Sequence, residues 1–129
     1  MNDANRKTEI TKPDDLLQAY ANGDRAFNGI NLARKSLKGA DLKGADMSYG
    51  DFSGTNLSQA NLRGADLSYA TLRGANLTET NLRGAMLIGT DLRTDTLTAA
   101  TVTDADYDPE ETLFPEKFDP QQAGMKSDR

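Results

Sequence analysis

Apolar residues recur at every fifth position along most of the chain, from Phe27 to Tyr107, without an insertion. We call this series the ruler. A small residue, most often Ala, stands two positions before most members of the ruler, as Ala40 stands before Leu42. The members of the ruler are Phe27, Leu32, Leu37, Leu42, Met47, Phe52, Leu57, Leu62, Leu67, Leu72, Leu77, Leu82, Leu87, Leu92, Leu97, Val102 and Tyr107.

Neither an α-helix nor a flat strand can bury this series on one side. A helix turns about 100° per residue, so a five-residue step rotates successive ruler residues by about 140° and distributes them around the axis. A strand alternates its side chains with a period of two, so a five-residue step would place every second ruler residue in solvent. The pattern therefore predicts a chain that turns after every five residues and coils around the ruler.

The pentad 40–44, Ala-Asp-Leu-Lys-Gly, shows the role that we predict for each of the five positions. Positions 1 and 3 point inward, positions 2 and 4 point outward, and position 5 lies at a corner where Gly accepts a positive φ. Other pentads have Tyr49, Tyr69 or Glu79 at position 5. Because these residues are not glycine, we expect a mixture of turn types along the coil.

Pentads of the form Ala-Asp/Asn-Leu-x-x, such as 40–44, 65–69 and 75–79, resemble the repeats of the pentapeptide-repeat family. The resemblance covers roughly residues 24–108. It implies an all-β fold, a right-handed quadrilateral parallel β-helix with four pentads in each coil and about four coils in all. The tail that follows the repeats also resembles that of small cyanobacterial members of the family.

The N-terminal end of the solenoid is predicted to be capped, because an open coil would expose strand edges and ruler side chains. Residues 11–23 predict a short capping helix that has Pro13 in its first turn and an apolar side formed by Leu16, Leu17 and Tyr20. That apolar side could instead bind a partner, but we favour a lid over the first coil. Residues 1–10 are expected to be flexible.

The C-terminal end carries a different kind of cap. The β-helix is predicted over residues 24–108 and a capping tail over residues 109–129. Pro115 and Pro120 exclude a long helix in this tail, and we expect Leu113, Phe114 and Phe118 to fold back over the last coil. Residues 126–129 are expected to fray.

If four pentads make one coil, residues twenty apart form columns on the outer surface. Lys43, Arg63 and Arg83 then form one column, which we call the basic column. It is a candidate interaction surface for an anionic partner, because stacked like charges repel and a counter-charge relieves the repulsion. The alternative, which we favour, is a solvated row that protects the sheet from aggregation.

Tyr49 and Tyr69, which we call the tyrosine pair, stand at corners one coil apart. They are a second candidate interaction surface, since Tyr is enriched in interfaces. The alternative, which we favour, is a pair that stacks on itself and covers a turn without Gly. Met86 and Ile88 place apolar side chains at outward positions. They could mark a contact site, but we favour burial under the C-terminal tail.

The composition removes most kinds of site chemistry. The chain has no Cys and no His, so disulfides, thiolate metal sites and catalysis by either residue are excluded. Residues 104–108 begin like a calcium loop, but Pro109 and Pro115 stand where that loop needs Gly and Glu. We expect no catalytic residues, no metal and no cofactor.

The charge distribution separates the functions that remain. The net charge is −5, but residues 25–108 contain nine Lys and Arg against ten Asp and Glu, so the rod itself is nearly neutral. Members of the resembled family that mimic DNA toward gyrase are strongly acidic rods, and this alternative therefore ranks second. The sequence favours a non-catalytic module that presents rigid flat faces to an unknown protein partner. A nucleic-acid partner is disfavoured.

The remaining expectations concern location and assembly. The first thirty residues contain no apolar segment typical of a secretory signal, and no apolar run approaches the length of a membrane span. We therefore expect a cytoplasmic protein without a membrane association, present as a monomer or weak dimer.

Overall fold

A computed structural model of the chain describes residues 9–128. Its helices are α1 (Pro13–Ala21) and a 3₁₀ helix (Asp95–Ala99). Its named strands are β1 (Asp106–Tyr107) and β2 (Lys126–Ser127), which pair in parallel. Within the described residues, neither helix is long and apolar enough to cross a membrane. Most of the predicted flexible N-terminus, residues 1–8, and the last residue, Arg129, lie outside the described part.

The coil is held by parallel pairing between residues twenty apart. Asp41 pairs with Asn61, Asn61 pairs with Asn81, and Asn81 pairs with Thr101. The same spacing occurs on all four sides of the coil, because the paired columns begin at Ala26, Asn31, Ser36 and Asp41, five residues apart. These contacts are isolated bridges rather than long strands, since the chain turns again after every pentad.

The ruler is buried, as its period predicts. Every ruler side chain from Phe27 to Tyr107 is at most 4% exposed and belongs to one hydrophobic cluster. From Ala40 to Thr90, position 1 is buried as well, and this explains why small residues occupy it. Three of these small residues are threonines whose hydroxyls donate to the carbonyl of a ruler residue in the preceding coil, at 2.9, 2.7 and 2.8 Å. They are Thr55, Thr80 and Thr90.

Each backbone N–H of a regular pentad has an identified acceptor. The N–H of position 1 donates to the carbonyl of the preceding ruler residue. The N–H of position 2 donates to the carbonyl of position 1 in the preceding coil. The N–H groups of positions 3 and 5 donate to the carbonyls of positions 2 and 4, respectively, in the following coil. The N–H of position 4 donates to the position-2 side chain of the same pentad. In pentad 60–64 these bonds, from position 1 to position 5, measure 3.0, 2.8, 2.8, 3.1 and 3.0 Å. Asp or Asn recurs at position 2 because its Oδ1 accepts the position-4 N–H, which has no backbone acceptor in a neighbouring coil.

All the corners from Gly29 to Gly89 have a positive φ at position 5, so the expectation that some corners use a turn without this Gly-favouring conformation is wrong. Position 5 has a positive φ whether or not it is Gly: Tyr49, Tyr69 and Glu79 have φ of 61°, 60° and 58°. The shared positive φ accompanies a shared hydrogen bond, because position 5 donates its N–H to a carbonyl of the following coil at every corner from Gly29 to Gly84. The non-glycine residues therefore adopt a left-handed conformation that costs roughly 1–2 kcal/mol per residue.

The 3₁₀ helix interrupts this pattern on one side of the coil. Leu97 remains fully buried, but the bridge that would join Asn76 to residue 96 is missing. The Leu77 N–H donates instead to Thr96 Oγ1, at 2.8 Å, and this hydroxyl donates to the Ala75 carbonyl, also at 2.8 Å. A side-chain hydroxyl thus replaces a backbone carbonyl without a change in the twenty-residue spacing.

Helix α1 covers the first coil. Leu16 is fully buried, and Leu17 and Tyr20 pack against the core with partial burial. The Tyr20 hydroxyl donates to the Lys43 carbonyl at 2.6 Å, where no earlier coil supplies a donor. The Arg25 guanidinium lies 3.7 Å from the centre of the Tyr20 ring and donates to the Tyr20 carbonyl at 2.9 Å. The apolar side of α1 therefore acts as a lid.

The C-terminal tail extends the coil instead of only covering it. Leu113 pairs with Asp91, which is a spacing of twenty-two residues, and β2 then returns to the spacing of twenty against β1. The expected fraying at residue 126 is wrong, because the Lys126 N–H donates to the Ala105 carbonyl at 2.8 Å. Phe114 contacts Tyr107 edge-on at 5.6 Å between ring centres and stacks on Phe118 at 5.4 Å.

One side chain of the tail does not fold back as expected. Leu113 is 42% exposed, because its backbone occupies an outward position in the ladder beside Asp91. Met125, which the sequence pattern does not single out, is 6% exposed and contributes to the core at this end.

The uniform corner leads to a pair of opposite stability changes. Gly64 has a φ of +68° and open space where a Cβ would be, so Gly64→Ala should cost about 1–2 kcal/mol through backbone strain alone. Gln59 has a φ of 62°, so Gln59→Gly should leave the free energy of unfolding unchanged or raise it by up to about 1 kcal/mol. Urea denaturation of both variants checks this, and a destabilised Gln59→Gly would contradict a shared turn geometry.

Candidate functional surface

The twenty-residue spacing places the basic column on one side of the coil. Lys43, Arg63 and Arg83 are all exposed, and each donates its backbone N–H to the position-2 side chain of its own pentad. The end of the column is partly neutralised, because the Arg83 guanidinium lies 3.9 Å from the Asp104 carboxylate. Among residues 9–128, neither Lys43 nor Arg63 has a carboxylate within ion-pair distance. These two cations are therefore available to an anionic partner.

The tyrosine pair lies at one corner of the coil. The rings stack with their centres 5.4 Å apart and their planes 17° from parallel. Tyr49 is nevertheless 67% exposed and Tyr69 is 47% exposed. The rings cover the next corner of the same column, because a Cβ at Gly89 would lie only 2.4 Å from the Tyr69 ring. Self-stacking is thus present, but it leaves a large aromatic surface in solvent.

A carboxylate from the tail holds Tyr69 in place. The Tyr69 hydroxyl donates to Glu111 Oε2 at 2.8 Å, across forty-two residues of sequence. This hydrogen bond, together with the negative charge of Glu111, raises the pKa of Tyr69 above its ordinary value. The sequence alone gave no signal for this contact, since the tail departs from the five-residue period before Glu111.

The tail leaves Met86 open, so the expected burial of this residue is wrong. Met86 is 44% exposed, because Asp106 pairs with it edge to edge in the ladder and does not pass over its side chain. Ile88 is partly buried. The large apolar residues that are exposed in the described part of the chain are Tyr49, Tyr69, Met86 and Leu113. The ladder places all four around one corner.

Acidic groups dominate the side of the coil that ends at this corner. Asp46 and Asp66 pair in one column, and each accepts the N–H of the serine two residues later through its Oδ1 atom. Beyond the corner, Asp51 accepts bonds from the Ser53 hydroxyl and N–H, which lower the pKa of the Asp51 carboxyl. The Arg93 guanidinium binds Asp91 through two hydrogen bonds, at 3.0 and 2.9 Å, and lowers the pKa of that carboxyl in the same way.

Within residues 9–128, a cavity lies apart from the basic column and the tyrosine pair, and the acidic groups do not form a metal-binding cluster. A cavity of about 390 Å³ lies beside α1, and none of its lining residues belongs to the basic column or the tyrosine pair. Within residues 9–128, no group of three or more Asp and Glu side chains could hold a metal ion, and this includes the aspartates of residues 104–108. The cavity is lined by Glu9, Ile10, Asp15, Gln18, Ala19, Asn22 and Asp24.

The repeats match a family model described as pentapeptide repeats, in eight copies over residues 26–59 and 60–94. The chain is also similar to a solved structure, alr5209 from Nostoc Pcc 7120, a pentapeptide repeat protein. The two are 42% identical with a TM-score of 0.88, and the match covers 92% of this chain and 97% of that chain. No curated protein matches the chain.

Two further solved pentapeptide repeat proteins are similar over shorter regions. HetL from Nostoc sp. Strain PCC 7120, involved in heterocyst differentiation regulation, is 35% identical with a TM-score of 0.40, over 75% of this chain and 45% of HetL. Rfr23 from Cyanothece 51142 is 29% identical with a TM-score of 0.40, over 69% of this chain and 63% of Rfr23.

The bond between Tyr69 and Glu111 makes a titration test possible. Glu111→Gln should lower the pKa of Tyr69, because the negative charge that disfavours the phenolate is removed. The ring-carbon NMR signal of Tyr69, followed against pH, measures this directly. Glu116→Gln serves as the control, since no contact joins it to Tyr69 among the described residues. A Tyr69 titration that Glu111→Gln leaves unchanged would show that the tail does not reach the tyrosine pair.

Proposed function

Because the chain belongs to the pentapeptide-repeat family, we propose that it is a non-catalytic module that presents rigid flat faces to a partner protein. Proteins of this family fold as right-handed quadrilateral β-helices and are generally structural or interaction modules. In this proposal the rod has about four coils, is cytoplasmic, and acts as a monomer or weak dimer.

The observation that supports this function is the complete use of backbone N–H groups within each regular pentad. The N–H groups of positions 2, 3 and 5 bond to the preceding and following coils, and the N–H of position 4 bonds to the side chain at position 2. These bonds fix each corner. Outward side chains therefore stand on a fixed lattice, about 4.8 Å apart along each column. Such a surface loses little conformational freedom when it binds, so more of the contact energy remains as affinity.

The basic column and the tyrosine pair are the two candidate surfaces for this recognition. Lys43 and Arg63 offer exposed charge, and Tyr49 and Tyr69 offer exposed aromatic area. The two surfaces lie on different sides of the coil, so variants can test them independently.

Mimicry of DNA toward gyrase is the alternative against which the proposal is tested. A DNA mimic needs a surface of nearly continuous negative charge, whereas this rod carries nine Lys and Arg against ten Asp and Glu over residues 25–108. The exposed basic column is positively charged, whereas a DNA mimic must reproduce a row of negatively charged phosphates. These features support the interaction module over the mimic.

Affinity capture from an extract of the native cells tests the function. We expect the immobilised protein to retain a partner in stoichiometric amount, and either Lys43→Glu/Arg63→Glu or Tyr49→Ala/Tyr69→Ala to abolish retention. A gyrase supercoiling assay with the same protein at micromolar concentration should show no inhibition. Inhibition of gyrase together with no captured protein would overturn the proposal in favour of mimicry.

A further inference from the structure

The exposed apolar area of the rod is concentrated at one place. Tyr49 and Tyr69 stand in one corner column, Met86 lies on the side before this corner, and Leu113 pairs with Asp91 just after it. Their exposed fractions are 67%, 47%, 44% and 42%. We call these four residues the apolar corner. Apart from Ile88, which is partly buried, the other outward positions of the regular coils hold charged, amide, hydroxyl or small residues.

The side that leads to the apolar corner is negatively charged. Its outward positions between residues 26 and 109 include Asp46, Asp66 and Asp106 and contain no Lys or Arg. Lys126 ends the column, but its Nζ lies 3.6 Å from the Asp104 carboxylate. Glu111 adds another carboxylate beside Tyr69. The turns use only the Oδ1 atoms of Asp46 and Asp66, so the turns leave both Oδ2 atoms available to a partner.

Aromatic faces next to carboxylates favour guanidinium groups. Arg is held over a tyrosine ring by cation–π attraction and by a weakly hydrated planar charge, and a carboxylate completes the contact through hydrogen bonds. The same chain already contains the first half of this arrangement, because the Arg25 guanidinium sits 3.7 Å from the centre of the Tyr20 ring. The negative charge of this surface therefore favours a positively charged partner segment.

We propose that the apolar corner, with Asp46 and Asp66, is a docking surface for a partner protein segment that alternates arginine with apolar side chains. The arginines stack on the tyrosine pair and bind the carboxylates, while the apolar side chains cover Met86 and Leu113. The inference rests on the proposed interaction function and specifies its surface and the chemistry of its partner. It assigns recognition to the tyrosine pair, and the basic column is left as a solvated row.

Peptides of defined sequence test this assignment against the ¹⁵N-labelled full chain by NMR titration. The probes are acetyl-(Arg-Leu)₃-amide and acetyl-(Glu-Leu)₃-amide. We expect the Arg peptide to bind saturably, about tenfold or more tighter than the Glu peptide, and to shift the amide signals of the apolar corner. Tyr49→Gln/Tyr69→Gln and Asp46→Asn/Asp66→Asn should each weaken binding by about fivefold or more.

These substitutions are chosen to keep the coil intact. Gln59 already occupies position 5 with a positive φ, and Asn61 already supplies the position-2 acceptor, so Gln and Asn fit the replaced corners. Asp14→Asn/Asp15→Asn is the matched control, because it removes the same two charges from α1, away from the corner. The control should weaken binding of the Arg peptide by less than about twofold.

Three results would overturn the inference. The first is an equal loss of affinity in the α1 control, which would show binding to net charge alone. The second is preference for the Glu peptide with shifts at the basic column, which would retain the interaction function but move it to the other side. The third is the absence of shifts at the apolar corner with either peptide, in which case capture from the native extract still decides the proposed function separately.

Discussion

The backbone hydrogen bonds between successive coils are the interaction on which the rest of the structure depends. Each regular pentad donates three N–H groups to neighbouring coils, and this is possible only when residues twenty apart lie in register. The register is accompanied by a left-handed corner after every pentad from Gly29 to Gly89, and it places positions 1 and 3 inside. Burial of the ruler, the preference for Asp or Asn at position 2 and the small residues at position 1 follow from this constraint.

The period of the ruler predicts the coil, but several details depend on geometry that the period does not contain. Burial of every ruler residue and the lid formed by Leu16 were predictable, because both follow from apolar spacing. The uniform corner was not, since Tyr49 and Tyr69 at position 5 suggest other turns when local preference alone is considered. The tail was predicted least well, because its residues leave the period and their pairing depends on the last coil.

The candidate surfaces show the same division. The columns that contain Lys43 and Tyr69 follow from the twenty-residue spacing, so the sequence places their members together correctly. In the tail the spacing between paired residues rises from twenty to twenty-two. The bond from Tyr69 to Glu111 and the exposure of Leu113 follow from this change, which no pattern in the sequence predicts. The apolar corner is thus assembled from a predictable column and an unpredictable tail. A rigid lattice makes this combination useful, because it holds both parts in fixed positions.

Native-state hydrogen exchange, measured amide by amide, tests the central claim most directly. In the inner coils the amides at positions 2, 3 and 5 should exchange slowly and at similar rates, because they bridge coils and open only together. The amides at position 4 should exchange faster, since only a side chain at the surface accepts their hydrogen bond. Protection without a five-residue period, or position-4 amides as protected as those of the ruler, would contradict a coil held in this register.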